Sequence, residues 1–396
     1  MACGIAGLQC LAPHAILHRF GPPDTALSAG VMAGYAASGP SPTLSSPTML
    51  LIYGANGYTG QLIVEECVRR GLTPIVAGRR AETLQPMATA HGLEMRVAGL
   101  DDQTALRDAL RGVHVVLHVA GPFFRTSAPM VQASLAVGAH YLDITGEIAV
   151  FEACRARHTD AVKAGVVAMP GVGFDVVPTD CLAARLAAEL PDATLLELAF
   201  TGGGGLSRGT LKTMLLGAGE GGAIRQDGRI TRVPGAWKTQ RIPFRDRERH
   251  AVTIPWGDVS TAHWSTGIPN IHTYLAMPPN AVRSMALMRV IAPILSVPVL
   301  RRFIEAQIDA RVHGPSAAVR ASARMHVWGR VTDPGGRTVS GTAETPEGYK
   351  LTAVAAVESA IRVLAQAPPA GYHTPSSAFG AGFLETLPEC DVVINT

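Results

Sequence analysis

A glycine-rich loop between an apolar strand and an amphipathic helix constrains the fold of this chain more than any other feature. Residues 49–70 read MLLIY-GANGYTG-QLIVEECVRR, with glycines at positions 54, 57 and 60. In such a loop the first glycine permits a tight turn, the second lets the backbone approach a pyrophosphate, and the third lets helix and strand pack closely. Because the strand–turn–helix context is the required one, the pattern predicts a Rossmann-type dinucleotide site. The loop residues expected to line it are Gly54, Asn56, Gly57, Tyr58, Thr59 and Gly60.

Short apolar runs alternate with helical patterns from residue 49 onward. The predicted strands are 49–53, 74–77, 94–98, 113–119, 140–143 and 166–169. The helical segments between them include 61–70, 104–110, 130–137 and 151–164. Strands separated by helices imply right-handed crossovers and a sheet covered on both faces, so an α/β, doubly wound parallel sheet is predicted. Pro86 should break or kink the helical segment 81–91.

A second domain is expected to follow the Rossmann-type domain of residues 49–170. Residues 171–345 contain helical patterns at 178–190 and around 210–216, a strand at 194–201 and β-rich sequence from 229 to 277. Apolar runs at 317–330 and 337–343 flank Asp333-Pro334-Gly335-Gly336, a strong hairpin signal. We therefore predict an α+β domain with a mixed or antiparallel sheet, for substrate binding or dimerisation. Residues 346–396 add a helix at 351–365 and a tail whose last apolar segment should pack back onto the first domain.

The first 48 residues are rich in Ala, Gly, Ser and Pro and show neither helical nor alternating periodicity. They lack a basic stretch followed by a clean apolar core, which argues against a secretory signal. A mitochondrial presequence would need several arginines, and this segment offers only Arg19. We expect residues 1–48 to be a disordered extension.

The charge balance, the cysteine spacing and the apolar content indicate which partners the chain is expected to bind. The chain has 34 basic and 31 acidic residues, a net charge of +3 and no long run of either sign, so nucleic acid is not an expected partner. Its six cysteines lack CxxC spacing and its histidines lack ligand spacing, so we predict no metal site and a reducing, cytoplasmic location. Apolar residues make up 47% of the chain and charged ones 16%, which leaves apolar surface to cover in a homo-oligomer or against lipid.

One apolar stretch, residues 285–300, bears on membrane contact. It contains Arg289, Pro293 and Pro298, and it falls short of the roughly 18 to 20 uninterrupted apolar residues that a bilayer span requires. A kinked core or interface helix is favoured, and peripheral membrane contact is the alternative.

The end of the second predicted strand indicates the form of the cofactor. A NAD-preferring site places Asp or Glu about 20 residues after the loop, whereas this chain has Gly78-Arg79-Arg80. A guanidinium there can bind a 2′-phosphate through paired, charge-assisted hydrogen bonds. We therefore predict NADP(H), with Arg79 the better candidate and Arg80 the second. The alternative is that both arginines are solvated surface charge.

Further candidates follow the fourth and fifth predicted strands, whose carboxyl ends border the ligand in doubly wound folds. The backbone of Ala120, Gly121 and Pro122 is expected to border the cofactor. Asp143 and Glu147 place carboxylates near where the nicotinamide should project, as acid/base or substrate-orienting groups. It is equally open that Asp143 caps the next helix or pairs with a basic residue.

Several segments together resemble the saccharopine dehydrogenase-like oxidoreductases. They are GANGYTG, AGRR, VAGPF, YLDITGE and GVGFDVVPTD, and more weakly EGYKLTAVAAVESAIRVL and TPSSAFGAGFLETLP. The resemblance runs from about residue 49 to the end and is nearest to stand-alone bacterial members. Relatives include trans-acting enoyl reductases and a branch associated with lipid droplets.

The resemblance implies a Rossmann domain joined to an α+β domain, and it implies NADP(H) use. The matching cofactor positions are Gly54, Gly57, Gly60 and Arg79. It does not fix a substrate. Asp175 and Asp180 lie where family members join their two domains; they either face the cleft or cap the helix at 178–190, and we favour capping for at least one of them.

The predicted function is NADP-dependent hydride transfer to or from a carbonyl, imine or enoyl substrate held between the domains. The candidate catalytic residues are Asp143, Glu147 and Tyr349. A substrate with several carboxylates would need a basic cluster, for which the candidates are Arg208, Lys212, Arg225 and Arg320. Apolar neighbours favour a lipid-like substrate instead: Leu211, Met214, Leu215 and Leu216. Two other functions stay open: a non-catalytic NADPH sensor, and a membrane-surface or lipid-associated interaction protein that uses residues 285–303.

Overall fold

The structure is a computed structural model that describes residues 49–217, 221–282 and 298–395, without the side chains of residues 216, 217 and 298–301. The described residues belong to one compact unit that contains two β-sheets. The predicted extension at residues 1–48 and most of the apolar stretch 285–300 lie outside the described residues.

Seven parallel strands form the first sheet. They are β1 (Leu50–Tyr53), β2 (Ile75–Gly78), β3 (Met95–Val97), β4 (Val115–His118), β5 (His140–Asp143), β6 (Val167–Met169) and β15 (Gly371–Tyr372). Their order across the sheet is β15-β6-β5-β4-β1-β2-β3. The helices that follow strands β1 to β5 are α1 (Tyr58–Arg69), α2 (Ala81–His91), α3 (Gln103–Ala109), α4 (Phe123–Val137), α5 (Ile148–Ala156) and α6 (His158–Ala164). The predicted α/β, doubly wound sheet is confirmed.

The central strands of this sheet are buried over their whole length, as expected for a parallel sheet covered on both faces. Successive side chains of a strand point to opposite faces. Leu50 and Ile52 therefore join one hydrophobic core, whereas Leu51 and Tyr53 join a second core on the other face. This burial explains why short, almost wholly apolar runs in the sequence mark the strands.

The second sheet has nine strands and is mixed. They are β7 (Leu195–Thr201), β8 (Gly222–Gln226), β9 (Arg229–Val233), β10 (Thr239–Pro243), β11 (Glu248–Thr253), β12 (Asn270–Ala276), β13 (Arg324–Thr332), β14 (Thr338–Pro346) and β16 (Asp391–Asn395). Its main path is β10-β11-β12-β7-β13-β14-β16, with the β8–β9 hairpin attached to β12; the β12–β7 pair is parallel and the other pairs are antiparallel. The predicted α+β domain with a mixed sheet is confirmed.

The helices associated with the second sheet include one that packs between the domains. They are α7 (Val177–Glu189), α8 (Arg208–Gly217), α9 (Asp258–Thr266), α10 (Pro298–Arg311), α11 (Ala317–Ser322), α12 (Gly348–Ala365) and α13 (Pro375–Phe379). Helix α12 is buried along most of its length and packs against α1, β4 and β5 of the first domain and against β14 of the second. The core that contains Ile52 continues to Leu198 and Val327 of the second sheet. The two domains therefore share one hydrophobic core.

The C-terminal tail divides between the two sheets. Strand β15 pairs with β6 at the edge of the first sheet, whereas β16 pairs with β14 at the edge of the second. The prediction that the last apolar segment packs back onto the first domain is therefore wrong. Its alternating burial fits an edge strand, because Val392 and Ile394 pack against the core while their neighbours face solvent.

Three local predictions also need correction. Helix α2 continues through Pro86, which is exposed. Proline has no N–H, but because it faces solvent, water can hydrate the backbone carbonyl that this N–H would otherwise bind. Residues Ala317–Ser322 form helix α11 instead of extending the hairpin strand. Helix α9 interrupts the region that the sequence suggests is wholly β-rich.

Candidate active site

The glycine loop is held by close backbone packing. Gly54 has φ of +90°, which favours glycine, and its N–H donates to the Ala77 carbonyl oxygen at 2.8 Å. A Cβ on Gly54 would lie 2.8 Å from the Cβ of Ala120, and a Cβ on Gly60 would lie 2.4 Å from the Gly54 carbonyl oxygen. A Cβ on Gly57 would meet only that oxygen, at 3.3 Å, and Gly57 is exposed. Gly54 and Gly60 are therefore needed for packing, while Gly57 lies on the open side.

The N-terminus of α1 is free to bind an anion. Gly57 is the N-cap residue, and no side chain of the described residues caps the first-turn amides. Asn56 and Thr59, on either side of Gly57, are half-buried. Uncapped amides at a helix N-terminus, approached across a residue without a side chain, fit the pyrophosphate of a dinucleotide.

Tyr58 directs its side chain to the second domain. Its hydroxyl donates to the Pro315 carbonyl oxygen at 2.7 Å and accepts from Arg320 Nη1 at 2.9 Å. Its ring lies edge-on to the ring of Tyr349, with centroids 5.1 Å apart. A Cβ on Gly314 would lie 2.7 Å from the Tyr58 ring. Any contact of Tyr58 with a dinucleotide would therefore come through its backbone.

Arg79 and Arg80 are exposed where β2 ends. Arg80 occupies the N-cap position of α2, and its Nε lies 3.9 Å from Glu82 Oε1. Within the described part of the chain, the Arg79 guanidinium makes no ion pair or hydrogen bond. Burial raises the pKa of Tyr53, the last residue of β1, to about 12. The positive charge of Arg79 opposes this rise, so the Arg79 guanidinium also lies near the end of β1.

Residues Ala120, Gly121 and Pro122 form the turn after β4 and contact the glycine loop through Ala120. The Thr126 hydroxyl holds this turn, with the Ala120 carbonyl oxygen at 2.6 Å and the Pro122 carbonyl oxygen at 3.2 Å. His118 Nε2 lies 3.0 Å from the same hydroxyl oxygen. Burial lowers the pKa of His118 to about 3, so the imidazole is neutral and serves to position the turn.

Asp143 is fully buried, and its carboxylate is occupied by protein donors. It accepts from the Tyr141 hydroxyl at 2.6 Å and from the backbone N–H groups of Thr145 and Gly171, each at 2.9 Å. Burial raises its pKa to about 6 against the lowering effect of these bonds. The geometry holds the loops after β5 and β6 together and leaves Asp143 no access to a substrate. It is neither a helix cap nor the partner of a basic residue among the described residues.

Glu147 is also committed to the protein. Its carboxylate accepts from the backbone N–H groups of Phe123 at 2.8 Å and Phe124 at 2.7 Å, which are the first amides of α4. A carboxylate at a helix N-terminus is stabilised by the amides and by the helix dipole. Glu147 therefore fixes the start of α4 against the loop after β5.

Tyr349 lies on the second-domain side, at the start of α12. Its hydroxyl accepts from the Ser207 backbone N–H at 2.7 Å and lies 2.8 Å from Thr210 Oγ1. Among the described residues no contact joins Tyr349 to Asp143 or Glu147. Asp143 and Glu147 are linked through Thr145, which donates its N–H to Asp143 and accepts from the Glu147 N–H, whereas Tyr349 belongs to a separate hydrogen-bond network.

Three aspartates not assigned as catalytic candidates from the sequence lie between the domains. Asp180 is fully buried and accepts from the Ser265 hydroxyl and, at 2.7 Å, from the Ser376 backbone N–H. Asp258 is fully buried at the start of α9, and Asp175 is half-buried in the loop before α7. The expectation that Asp175 or Asp180 caps the helix α7 is wrong, because Val176 is its N-cap and no side chain caps it. Nothing in the local sequence signals the burial of Asp258.

The basic residues considered for a polycarboxylate substrate are engaged elsewhere. Arg208 donates to the Val312 carbonyl oxygen at 2.6 Å, and Lys212 pairs with Asp309 at 2.6 Å. The buried Arg225 donates to two backbone carbonyl oxygens and to Glu152. Arg320 donates to the Pro315 carbonyl oxygen at 2.7 Å and to Tyr58. The cationic group of each of these residues is therefore already bound by protein acceptors.

In residues 49–217, 221–282 and 298–395, no group of His, Cys, Asp or Glu side chains has the geometry to hold a metal ion. No helix in the same part of the chain is long and apolar enough to cross a membrane.

Parts of this chain are similar to known proteins. Residues 50–169 match the model for the saccharopine dehydrogenase NADP binding domain. The chain is 28% identical over 237 residues to a lipid droplet localized protein of Caenorhabditis elegans, which covers 52% of the chain and 56% of that protein. It is 28% identical over 158 residues to the human saccharopine dehydrogenase-like oxidoreductase, covering 35% of the chain and 37% of the relative.

Two further matches extend the comparison. A candidate trans-acting enoyl reductase of Mycobacterium tuberculosis is 29% identical over 182 residues, which is 42% of the chain and 43% of that protein. The alignments thus span about half or less of these curated relatives. Among solved structures, apo saccharopine dehydrogenase (L-Glu forming) from Saccharomyces cerevisiae superposes with a TM-score of 0.59 at 11% identity, over 88% of this chain and 100% of that one, which supports the fold.

The seven-stranded sheet, the glycine loop and the matched domain define a Rossmann-type, NADP-binding protein with an α+β second domain. Its cofactor class is NADP(H). Within that class, residues 50–169 match the saccharopine dehydrogenase NADP binding domain, and the chain is similar to saccharopine dehydrogenase-like oxidoreductases.

Proposed function

We propose that this protein is an NADP(H)-dependent oxidoreductase that transfers hydride between the nicotinamide and a carbonyl, imine or activated alkene. The observation that carries the proposal is the glycine loop, where Gly57 leaves the uncapped amides of α1 open to an anion. The exposed Arg79 guanidinium, which has no described partner, would bind the 2′-phosphate. The backbone of Ala120, Gly121 and Pro122 would border the cofactor on the other side of the loop. When bound, NADPH would supply the hydride.

The test is a parallel titration of the purified protein with NADPH and NADH, followed by cofactor fluorescence. The wild type should bind NADPH more tightly, and Arg79→Ala should abolish the preference because NADH lacks the 2′-phosphate. Arg80→Ala is the matched control and should retain most of the preference. Failure to bind either cofactor would overturn the proposed function, and a preference unchanged in Arg79→Ala would overturn the assigned phosphate site.

We further propose that the substrate is apolar or lipid-like. The four basic residues that could bind a polycarboxylate are each engaged in other contacts. An aromatic cluster begins in the loop that carries Asp175: the Phe174 ring lies 5.6 Å from the Phe200 ring between centroids, and the Phe200 ring lies 4.8 Å from the Trp256 ring. The names of two relatives, a lipid droplet localized protein and a candidate enoyl reductase, support the same substrate class.

A substrate screen tests this choice. NADPH consumption should be faster with long-chain enoyl or ketoacyl thioesters than with an imine formed from two amino acids. Faster turnover of the amino-acid imine would contradict the lipid-like substrate while leaving the oxidoreductase proposal intact. No turnover with any substrate, together with tight NADPH binding, would instead favour a non-catalytic NADPH sensor.

A second candidate function is association with a lipid surface. Large apolar side chains are exposed on α8, on α10 and on the loop before α8, with exposed fractions of 55% for Met214, 61% for Phe303 and 42% for Leu206. One relative is named for its lipid-droplet location. Sedimentation with phosphatidylcholine–phosphatidylserine liposomes should be reduced in Met214→Asp/Phe303→Asp, and unchanged sedimentation would contradict this role. A cytoplasmic location and a homo-oligomeric state stay predictions.

A further inference from the structure

Asp175 occupies a distinctive place at the carboxyl edge of the first sheet. It lies in the loop that connects β6 to α7, and it is half-buried, unlike the fully buried Asp143 and Asp180. Its carboxylate lies against Gly146 in the loop after β5, where a Cβ on the glycine would be 2.7 Å from Asp175 Oδ2. The missing side chain of Gly146 therefore makes room for this carboxylate beside the loop that follows β5.

The carboxylate of Asp175 is free of the contacts that occupy its neighbours. Asp143 accepts hydrogen bonds from a tyrosine and two backbone amides, and Glu147 accepts from the first amides of α4. Asp180 accepts from Ser265 and from the Ser376 amide. Within the described residues, the Asp175 side chain has no hydrogen bond or ion pair. A half-buried polar group without a protein partner at a ligand-binding edge is available to a ligand.

Asp258 lies close enough to Asp175 for their charges to interact, and it lacks hydrogen-bond partners of its own in the described part of the chain. It is fully buried, and neither of its carboxylate oxygens has a hydrogen-bond partner among the described residues. The nearby Thr179 hydroxyl donates instead to the Val176 carbonyl oxygen at 3.0 Å. Burial, together with the negative charges of Asp180 and Asp175, raises the pKa of Asp258 to about 8, which favours its protonated form at neutral pH. Burial likewise raises the pKa of Asp175 to about 7.

The fold indicates which part of the cofactor Asp175 would face. The glycine loop at the end of β1 would hold the pyrophosphate, and Arg79 at the end of β2 marks the 2′-phosphate and thus the adenosine side. The nicotinamide end then extends in the opposite direction along the sheet, past β4 and β5. Asp175 covers the loop after β5 on that side.

Resting on the proposed function, we infer that Asp175 is the catalytic acid/base that exchanges the substrate proton beside the nicotinamide, with the buried Asp258, unpartnered within the described residues, close by. In the reducing direction, the substrate carbon of the C=O, C=N or C=C bond accepts the hydride and its two electrons, and one bond of that double bond breaks. The Asp175 carboxylic acid gives its proton to the oxygen, the nitrogen or the second carbon. Asp175 is left as a carboxylate and regains a proton from water.

The titratable groups around Asp175 determine the sign of the pH dependence. Asp258 on α9 interacts electrostatically with Asp175 and with Asp180 on α7. Asp143 ends β5 and Glu147 follows Gly146, the residue against which Asp175 lies, so the groups on these elements are all acidic. Asp175 is neutral below its raised pKa and negative above it. The nicotinamide ring is positively charged in NADP⁺ and neutral in NADPH. Ionised Asp175 should therefore strengthen the binding of NADP⁺ and leave that of NADPH almost unchanged.

The test needs no substrate. The dissociation constants of NADP⁺ and NADPH are measured between pH 5.5 and 8.5 for the wild type, Asp175→Asn and Asp258→Asn, and the NADPH/NADP⁺ ratio is compared. Titration of the 2′-phosphate affects both cofactors equally and cancels in this ratio. In the wild type, relative NADP⁺ affinity should rise about tenfold with pH, which corresponds to lowering the Asp175 pKa by about one unit. Asp175→Asn should remove the rise, and Asp258→Asn should retain it.

Each result has a defined meaning. A flat ratio in a wild type that binds both cofactors overturns the role of Asp175 and leaves the cofactor site intact. A rise that persists in Asp175→Asn, or one that is lost only in Asp258→Asn, assigns the proton to another group and also overturns the inference. If neither cofactor binds, the proposed function fails and this inference fails with it. The wild-type ratio decides the first case even if Asp175→Asn does not fold.

Discussion

Replacing Gly60 by Ala separates packing from ligand binding in the glycine loop. A Cβ at this position would lie 2.4 Å from the Gly54 carbonyl oxygen and 2.8 Å from the Ala55 Cα, and both atoms belong to the backbone. Alanine is favoured over glycine in a helix by about 1 kcal/mol, while overpacking costs about 1–3 kcal/mol. Because backbone atoms would have to move, we take the upper value and expect the free energy of unfolding to fall by about 2 kcal/mol.

Gly57→Ala is the matched control, since its Cβ would meet only the Gly54 carbonyl oxygen at 3.3 Å. Its free energy of unfolding should change by less than about 0.5 kcal/mol. NADPH affinity should nevertheless fall at least about tenfold, because the Cβ stands where the pyrophosphate approaches the backbone. Urea unfolding by circular dichroism measures the first quantity, and NADPH fluorescence measures the second. A Gly60→Ala variant as stable as the wild type, or a Gly57→Ala variant with unchanged NADPH affinity, would refute this reasoning.

Two further predictions concern stability. Asp102→Ala removes the N-cap of α3, which accepts from two backbone amides at 2.9 and 3.0 Å, and should lower the free energy of unfolding by about 1 kcal/mol. Asp102→Asn should keep most of the stability, because an amide oxygen can still accept these hydrogen bonds. Equal losses of unfolding free energy in the two variants, measured by urea unfolding, would contradict the capping role of Asp102. Glu358→Ala leaves the buried Arg362 without its carboxylate partner at 2.9 Å and should cost about 3–5 kcal/mol. A loss below about 1 kcal/mol in the same assay would contradict this prediction, because the Glu358–Arg362 pair would then contribute little to the free energy of unfolding.

Most of the first sheet could be predicted because its signals are local. Strands such as β1 and β4 are short apolar runs that are buried on both faces, and the glycine loop follows directly after the first of them. Strand β15 has only the two residues Gly371–Tyr372, which form no pattern by themselves. Its pairing with β6 depends on contacts with residues about 200 positions earlier in the chain, which periodicity cannot show.

In the candidate site, too, features with local sequence signals could be predicted, and features that depend on long-range contacts could not. The glycine positions and the basic turn after β2 could be predicted because the required residue types are adjacent in the sequence. The environment of the carboxylates could not, since Asp143 is occupied partly by the amide of Gly171, and Asp180 by that of Ser376. Loops that are distant in the sequence determine which aspartate lacks a hydrogen-bond partner. The local sequence around each aspartate does not distinguish one from another.

The division of the tail between the sheets has a consequence for synthesis on the ribosome. The N-terminal strands emerge first, but the first sheet lacks its edge strand β15, and the second sheet lacks β16, until residues beyond 370 have emerged. Until then β6 and β14 expose unpaired backbone groups, which can pair with other chains. Nascent chains of this protein should therefore depend on chaperones that shield the open sheet edges until these strands have been synthesised.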